Sequence, residues 1–431
     1  MVITLPEEML PASEQNPHVL HRIPEPIKGI NRIQSIDALR GFALLGILTV
    51  NIQSFAMVSG AFWSPIAIGD GNLLNLWIWI VTRVLAGAKF MTIFSLLFGA
   101  GVVLMTSRVE AVSVRPAVIH YRRMAILVLF GVAHAYLLWS GDVLVAYGVC
   151  GAVVFFCRKL RPGTLLLLAF LFISCGSILF WSYASQSAWL LRELLAIGRE
   201  LLGIHPFISP SAEILAYRSG WLTQLGIREQ SAVDNEIFMF AVVVFWRVSG
   251  LMLAGMALMK LGFLNGLHKA LAYWWALGVG FCAGIPLTLF GMYIHFGKGW
   301  NSVQGALIDY CVNYWASLFV SLGWIGLLLL LFRIRVLESF TRGLAALGRM
   351  ALTNYLLQTI ICTTIFYGHG FGLFERVDRI GQSAIVFSIW TLQLVASSLW
   401  LRRFQFGPTE WLWRKLTYMR REPFVRTSEA A

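Results

Sequence analysis

Apolar runs of about twenty residues recur along nearly the whole chain, and several, such as TLLLLAFLFISCGSILFWSYA at 164–184, carry no charge at all. Hydrocarbon offers a backbone no hydrogen-bond partner, so such a chain crosses a bilayer either as helices or as a closed barrel. A barrel shows alternating segments of about ten residues, and this sequence has none. A helix needs about 20 apolar residues to cross about 30 Å of hydrocarbon. The expected fold class is therefore all-α, a polytopic membrane helix bundle. Ten transmembrane helices are placed near 38–59, 84–106, 121–140, 141–158, 164–186, 237–258, 271–294, 313–334, 345–368 and 382–402. The apolar stretch 73–83 reads either as an interfacial helix or as the start of a long second span.

Charge supports this reading. Only 13% of residues are charged and 58% are hydrophobic, whereas soluble domains carry about a quarter charged residues. Of the 34 Lys and Arg, Arg192, Arg199, Arg218, Arg228, Lys298, Arg376 and Arg379 fall on one side of the ten spans. Arg83, Lys89 and Arg247 lie in or beside spans, and all the others share the side of the N-terminus. By the positive-inside rule both termini are cytoplasmic. The formal charge of +13 is thus spent on short loops and lipid headgroups, and nucleic acid is excluded as a partner. The six cysteines are scattered without metal-ligand spacing, so no metal is expected.

This divides the chain into a polar cytoplasmic segment at 1–30, a transmembrane bundle at 31–402 and a basic cytoplasmic tail at 403–431. No apolar core precedes a cleavage site in 1–30, so a cleaved signal peptide is not expected. An insertion at 187–236, on the non-cytoplasmic side, has amphipathic helical periodicity (LLRELLAIGRELLG) and is expected to lie on the membrane or cap the bundle.

Polar groups at membrane depth usually face a bundle interior or a cavity. In the first span Arg40 and Asn51 are eleven residues apart, about 16 Å along a helix, and share a face. Asp37 can pair with Arg40. Lys89 opens KFMTIFSLLFGAG, where it either snorkels to an interface or meets an anion. Arg122 and Arg123 open the third span, and His134 lies three turns on, followed by Asp142 at a tight SGD turn. An imidazole beside a carboxylate suits proton transfer; a structural His and a capping Asp fit the same residues. Arg247 needs a buried partner, with Asp142 or a bound anion as candidates. Asn354 and Gln358 stand one turn apart on one face, with Tyr355 between them as a packing or a site aromatic.

The stretches RIQSIDALRGFALLGIL (32–48), KFMTIFSLLFGAG (89–101), HAYLLWSGDVL (134–144), MLAGMAL (252–258) and FGPTEWLWRKLTY (406–418) together resemble the YeiB-like family of bacterial inner-membrane proteins, a domain of unknown function. The first helix is also distantly similar to two groups of membrane acyltransferases. The acyltransferase-3 family has a D-x-x-R-G opening and then a His at the position held here by Asn51. The heparan-glucosaminide N-acetyltransferase group has an Asn at that spacing and a His further on, and residues 52–70 contain no His.

The resemblance implies an inner-membrane acyltransferase that moves an acyl group from cytoplasmic acyl-CoA to a small-molecule, glycan or lipid acceptor at the outer side. In that scheme Asp37, Arg40, Lys89, Arg122 and Arg123 bind the donor. His134, Asp142 and Asn51 are catalytic: Asn51 is the oxyanion donor, and His134, with Asp142 orienting it, fills the acid/base place that the motif leaves unassigned, on chemical grounds rather than by resemblance. Arg247, Asn354 and Gln358 line the cavity. The alternatives are a transporter of a small or amphipathic solute and a non-catalytic lipid-binding protein. Membrane lipids are partners in every case, and glycine-rich faces allow a homodimer.

Overall fold

The computed structural model describes residues 33–65, 72–111, 115–204, 209–299, 302–334, 337–419 and 423–425; the segment 1–30 and parts of the basic tail lie outside them. Among the described residues the chain is helical, with one isolated bridge between Phe404 and Val425. The first half comprises α1 (Gln34–Ala56), α2 (Ser59–Trp63), α3 (Leu73–Leu85), α4 (Lys89–Ala111), α5 (Pro116–Leu137), α6 (Leu144–Val154) and α7 (Pro162–Ala184). The insertion contributes α8 (Trp189–Leu201), α9 (Pro210–Tyr217) and α10 (Leu225–Val233). A π-helical stretch, Asp234–Val244, leads from α10 into α11 (Phe245–Lys260). After it come α12 (Ala270–Gly297), α13 (Val303–Leu331), α14 (Glu338–Arg349), α15 (Ala351–Phe366), α16 (Arg379–Arg403) and α17 (Pro408–Tyr418).

Eight helical stretches are long and apolar enough to cross a bilayer, and two of these, Leu73–Glu110 and Leu225–Lys260, join consecutive elements. The shorter α6 and α15 are apolar as well. The protein is a multi-pass membrane helix bundle. Its basic end carries the start of α1, the end of α4 and the whole of α17; the insertion lies at the far end.

The stretch 73–83 belongs to α3, which runs toward α4 across a break at 86–88 where Ala88 takes a φ of 67°. A broken helix strands backbone carbonyls, and buried ones need new donors. Lys89 supplies one, its Nζ reaching Arg83 O at 2.8 Å, and Trp324 Nε1 supplies another to Leu85 O at 3.0 Å. The ninth span is broken too, at Met350 between α14 and α15.

Small residues set how closely the helices approach, since bilayer helices associate by van der Waals packing rather than by hydrophobic burial. Gly99 on α4 and Gly255 on α11 interlock. A Cβ on either would lie 1.9 Å from the facing backbone carbonyl, Met252 O or Leu96 O. Gly41 on α1 and Gly348 on α14 repeat the device, at 2.1 and 1.8 Å from Leu344 O and Asp37 O. No backbone can yield that far without the helices parting. Gly255→Leu is expected to destabilise the bundle by about 1–3 kcal/mol or more, read as a lowered melting temperature in detergent; Gly101→Ala, with nothing within 4 Å of the added carbon, is expected to be silent.

The insertion holds the far end. Arg228 donates to Leu137 O at 2.7 Å and Trp221 Nε1 donates to the same carbonyl at 2.9 Å. A cation on terminal carbonyls is the favoured partner for a helix C-terminus, and this terminus belongs to α5. Helix α8 leaves Trp189, Leu194 and Leu201 exposed, an apolar face of the kind that lies in a membrane interface.

Candidate functional site

A cavity of about 260 Å³ opens between α1, α4, α5, α6, α14, α15 and α17. Its mouth, at the basic end, is lined by Arg40, Arg108, Arg123, Arg349 and Arg414, with Asp37 and Glu410 as the carboxylates among them. Five guanidinium groups facing two carboxylates leave a net positive field, and guanidinium matches phosphate and carboxylate geometry. Inward the lining turns apolar: Leu44, Ile47, Phe94, Leu97, Phe98 and Leu127. From Arg108 to Phe94 on α4 the lining runs about 21 Å at 1.5 Å per residue. A polar mouth leading into an apolar interior over that combined length suits an amphiphile.

Helix α17 forms one side of the mouth, and its attachments explain the FGPTEWLWRKLTY pattern. Glu410 turns back onto the start of α15, accepting from Leu352 N at 2.6 Å, Thr353 N at 3.0 Å and Thr353 Oγ1 at 2.5 Å. It satisfies amides left open by the break at Met350. Trp413 lies 4.3 Å beneath the Arg123 guanidinium and donates to Arg123 O at 3.0 Å, while Arg122 donates to Thr417 O at 3.1 Å. Glu410→Ala removes a charged cap and is expected to cost about 1.5–3 kcal/mol, checked by thermal melting alongside Glu410→Gln, which retains one acceptor.

The closed end of the shaft is built by Val143, Leu144, Tyr147 and Tyr355. Behind Tyr355 lies His134, with ring centroids 5.0 Å apart. His134 Nδ1 is 2.9 Å from Asp142 Oδ1, and Nε2 is 2.9 Å from Thr359 Oγ1. The His134 and Asp142 side chains are 1% and 0% exposed. Asp142 Oδ2 also accepts from Val145 N at 2.8 Å, capping α6 and holding the carboxylate still. With Asp142 ionised, Nδ1 carries the proton and Nε2 presents a lone pair, to which Thr359 donates. A hydroxyl, an imidazole and a carboxylate in that order are the parts of a proton relay. Glu236, in the π-helical stretch, lies close enough to feel the charge of Asp142 and has a buried Oε1 with no hydrogen-bond partner among the described residues.

The structure gathers some of the sequence-derived candidates and disperses others. Asp37, Arg40 and Arg123 line the mouth, Arg40 Nη1 lying 3.2 Å from Asp37 Oδ1. Arg122 is at the mouth's edge, turned to α17. Asn51 lines no part of the cavity and makes no side-chain hydrogen bond among the described residues; it is half-buried on α1. The shared face of Arg40 and Asn51 is real helical geometry, but the shaft leaves α1 at Ile47 for α6 and α15, so the oxyanion role falls away from Asn51.

Lys89 and Arg247 belong to a separate buried network. Lys89 Nζ donates to Asn313 Oδ1 at 2.5 Å, and Arg83 pairs with Asp309 at 2.8 Å. Arg247 donates to Tyr314 O, Thr92 Oγ1 and Ser317 Oγ at 2.9, 3.1 and 2.6 Å and covers the Tyr314 ring at 4.2 Å. The protein groups that meet it are therefore a carbonyl and two hydroxyls rather than Asp142. Asn354 and Gln358 face α16, bonding Ser397 Oγ and Gln393 Oε1, each at 2.9 Å. Sequence reasoning missed Arg108, Arg414, Glu410 and Thr359, whose roles depend on long-range contacts. The tail motif was the available signal for two of them.

The bundle and its basic-mouthed shaft define an integral-membrane protein built around an internal cavity. Residues 258–420 match a family described as "Protein of unknown function (DUF418)". The chain is 30% identical over 412 residues to the "Uncharacterized protein YeiB" of Escherichia coli (strain K12), covering 92% of this chain and 99% of that one. It is also 30% identical to the "Uncharacterized protein YxaH" of Bacillus subtilis (strain 168), covering 92% and 97% of the two chains. The chain belongs to the YeiB-like DUF418 family.

Proposed function

We propose that this protein is a bacterial inner-membrane acyltransferase that draws an anionic acyl donor, acyl-CoA, into the shaft from the cytoplasmic, basic end and passes the acyl group to an acceptor from the outer side. The observation that carries this reading is the alignment of one shaft with two chemistries: arginines at its mouth and, behind Tyr355 at its closed end, the His134, Asp142 and Thr359 relay. The mouth holds the phosphates of the donor, and the acyl chain lies along Phe94, Leu97 and Phe98. His134 takes the proton of the attacking hydroxyl or amine, and Asp142 stabilises the imidazolium that forms. The acceptor enters at the far end beneath the insertion, which Arg228 and Trp221 hold against α5.

Acyl-CoA added to the purified protein is expected to raise its melting temperature more than CoA alone, because the shaft binds the chain as well as the phosphates. Equal stabilisation by both ligands counts against an acyl chain in the shaft. A second reading, a carrier that binds an amphiphile without transforming it, draws on the Tyr355 ring standing between shaft and imidazole. Solute-dependent flux in proteoliposomes with no covalent product distinguishes that reading from acyl transfer.

A further inference from the structure

We infer that Tyr355 is the group that holds the reacting carbonyl: its hydroxyl donates a hydrogen bond to the acyl carbonyl oxygen of a donor lying in the shaft, with His134 directly behind it. The inference rests on the acyltransferase reading and adds the oxyanion donor, which Asn51 is too far out of the shaft to be.

Tyr355 lines the closed end of the shaft and is 6% exposed, yet its hydroxyl has no side-chain hydrogen-bond partner among the described residues and makes no well-formed hydrogen bond, with the backbone of Val143 alongside it. A buried unsatisfied hydroxyl costs about 1–3 kcal/mol, and such a group in a native interior calls for a reason. The neighbouring Tyr147 shows the contrast: on the same wall, its hydroxyl lies 3.0 Å from Ser95 Oγ. Of the two, the phenol that sits 5.0 Å, ring to ring, from His134 is the one kept without a side-chain partner. A donor aimed at where negative charge develops is worth most in a water-excluded site, and this one is spanned by apolar walls.

The residues then divide the step. The lone pair of the acceptor oxygen or nitrogen attacks the carbonyl carbon of the thioester, and its proton moves to His134 Nε2. Thr359 releases that nitrogen by turning its hydroxyl to Tyr355 O, which already lies 3.4 Å away. The carbonyl π electrons move onto oxygen, where the Tyr355 O–H holds them. Collapse re-forms the C=O bond and expels the thiolate, which takes the proton from His134 Nε2.

Tyr355→Phe removes this hydroxyl and nothing else. In purified full-length protein given radiolabelled acyl-CoA and membrane lipid extract, the variant is expected to lose about 10²- to 10³-fold in kcat. Its acyl-CoA Kd, from melting-temperature titration, is expected to stay within about threefold of the native value, and its melting temperature in the absence of ligand to be no lower. Native turnover in Tyr355→Phe overturns the inference while leaving the acyltransferase reading intact. Absence of turnover in the native protein overturns that reading itself, and with it this inference. A parallel loss of binding and folding in Tyr355→Phe assigns the phenol to packing and also overturns the inference.

Discussion

His134→Gln is expected to abolish acyl transfer, lowering turnover by about 10²- to 10⁴-fold, the span assigned to a positioned general base, while acyl-CoA binding persists. The imidazole is the group behind Tyr355 placed to carry a proton between acceptor and leaving thiolate. Its Nδ1 is committed to Asp142 at 2.9 Å and its Nε2 to a hydroxyl at 2.9 Å. Asp142→Asn is expected to fall nearly as far, because an amide neither stabilises the imidazolium nor fixes the tautomer. It also weakens the amide cap on Val145 N. Leaving the buried Asp142 carboxylate without its hydrogen-bond donor costs about 1–3 kcal/mol or more, so His134→Ala is expected to lower the melting temperature more than His134→Gln does. Transfer at the native rate by a folded His134→Gln protein contradicts this assignment.

Arg40→Gln combined with Arg108→Gln is expected to weaken acyl-CoA binding by about 10²-fold or more, at about 1.5–3 kcal/mol for each charged hydrogen bond lost. Turnover at saturating donor is expected to change far less. Both side chains line the mouth, and along α4 Arg108 stands about 21 Å from Phe94 at the inner end of the lining. Raising the ionic strength is expected to weaken binding to the native protein and to have less effect on the variant. Arg376→Gln serves as the control, since Arg376 is exposed at the far end. An equal loss in that control contradicts an electrostatic mouth.

How much of this was legible beforehand follows from the range of the interactions. The membrane bundle was written in composition and in runs of apolar residues, because lipid leaves the backbone few choices. His134 and Asp142 were legible since only eight residues and one turn separate them, and each is out of place in an apolar segment. Arg40 and Asp37 were legible by helical spacing alone. Thr359 was not, because hydroxyls are common in membrane helices and nothing local ties α15 to α5. Asn51 misled for the opposite reason: its spacing from Arg40 is correct along α1, but where a cavity turns between helices is a property of packing. Glu410 and Trp413 stood out only as a pattern in the tail, and their work depends on a fold that returns α17 to the start of α15.

Labelling the site with an acyl-CoA that carries a photoreactive diazirine near its thioester tests the central claim most directly. Digestion and mass spectrometry of the irradiated protein are expected to find the adduct on the α15 peptide containing Tyr355 or on the Val143 to Tyr147 segment, and to find it lost when unlabelled acyl-CoA competes. Labelling confined to the lipid-facing residues of α7, such as Phe170 and Ile178, both exposed on the bundle, and unaffected by competitor, would contradict the account.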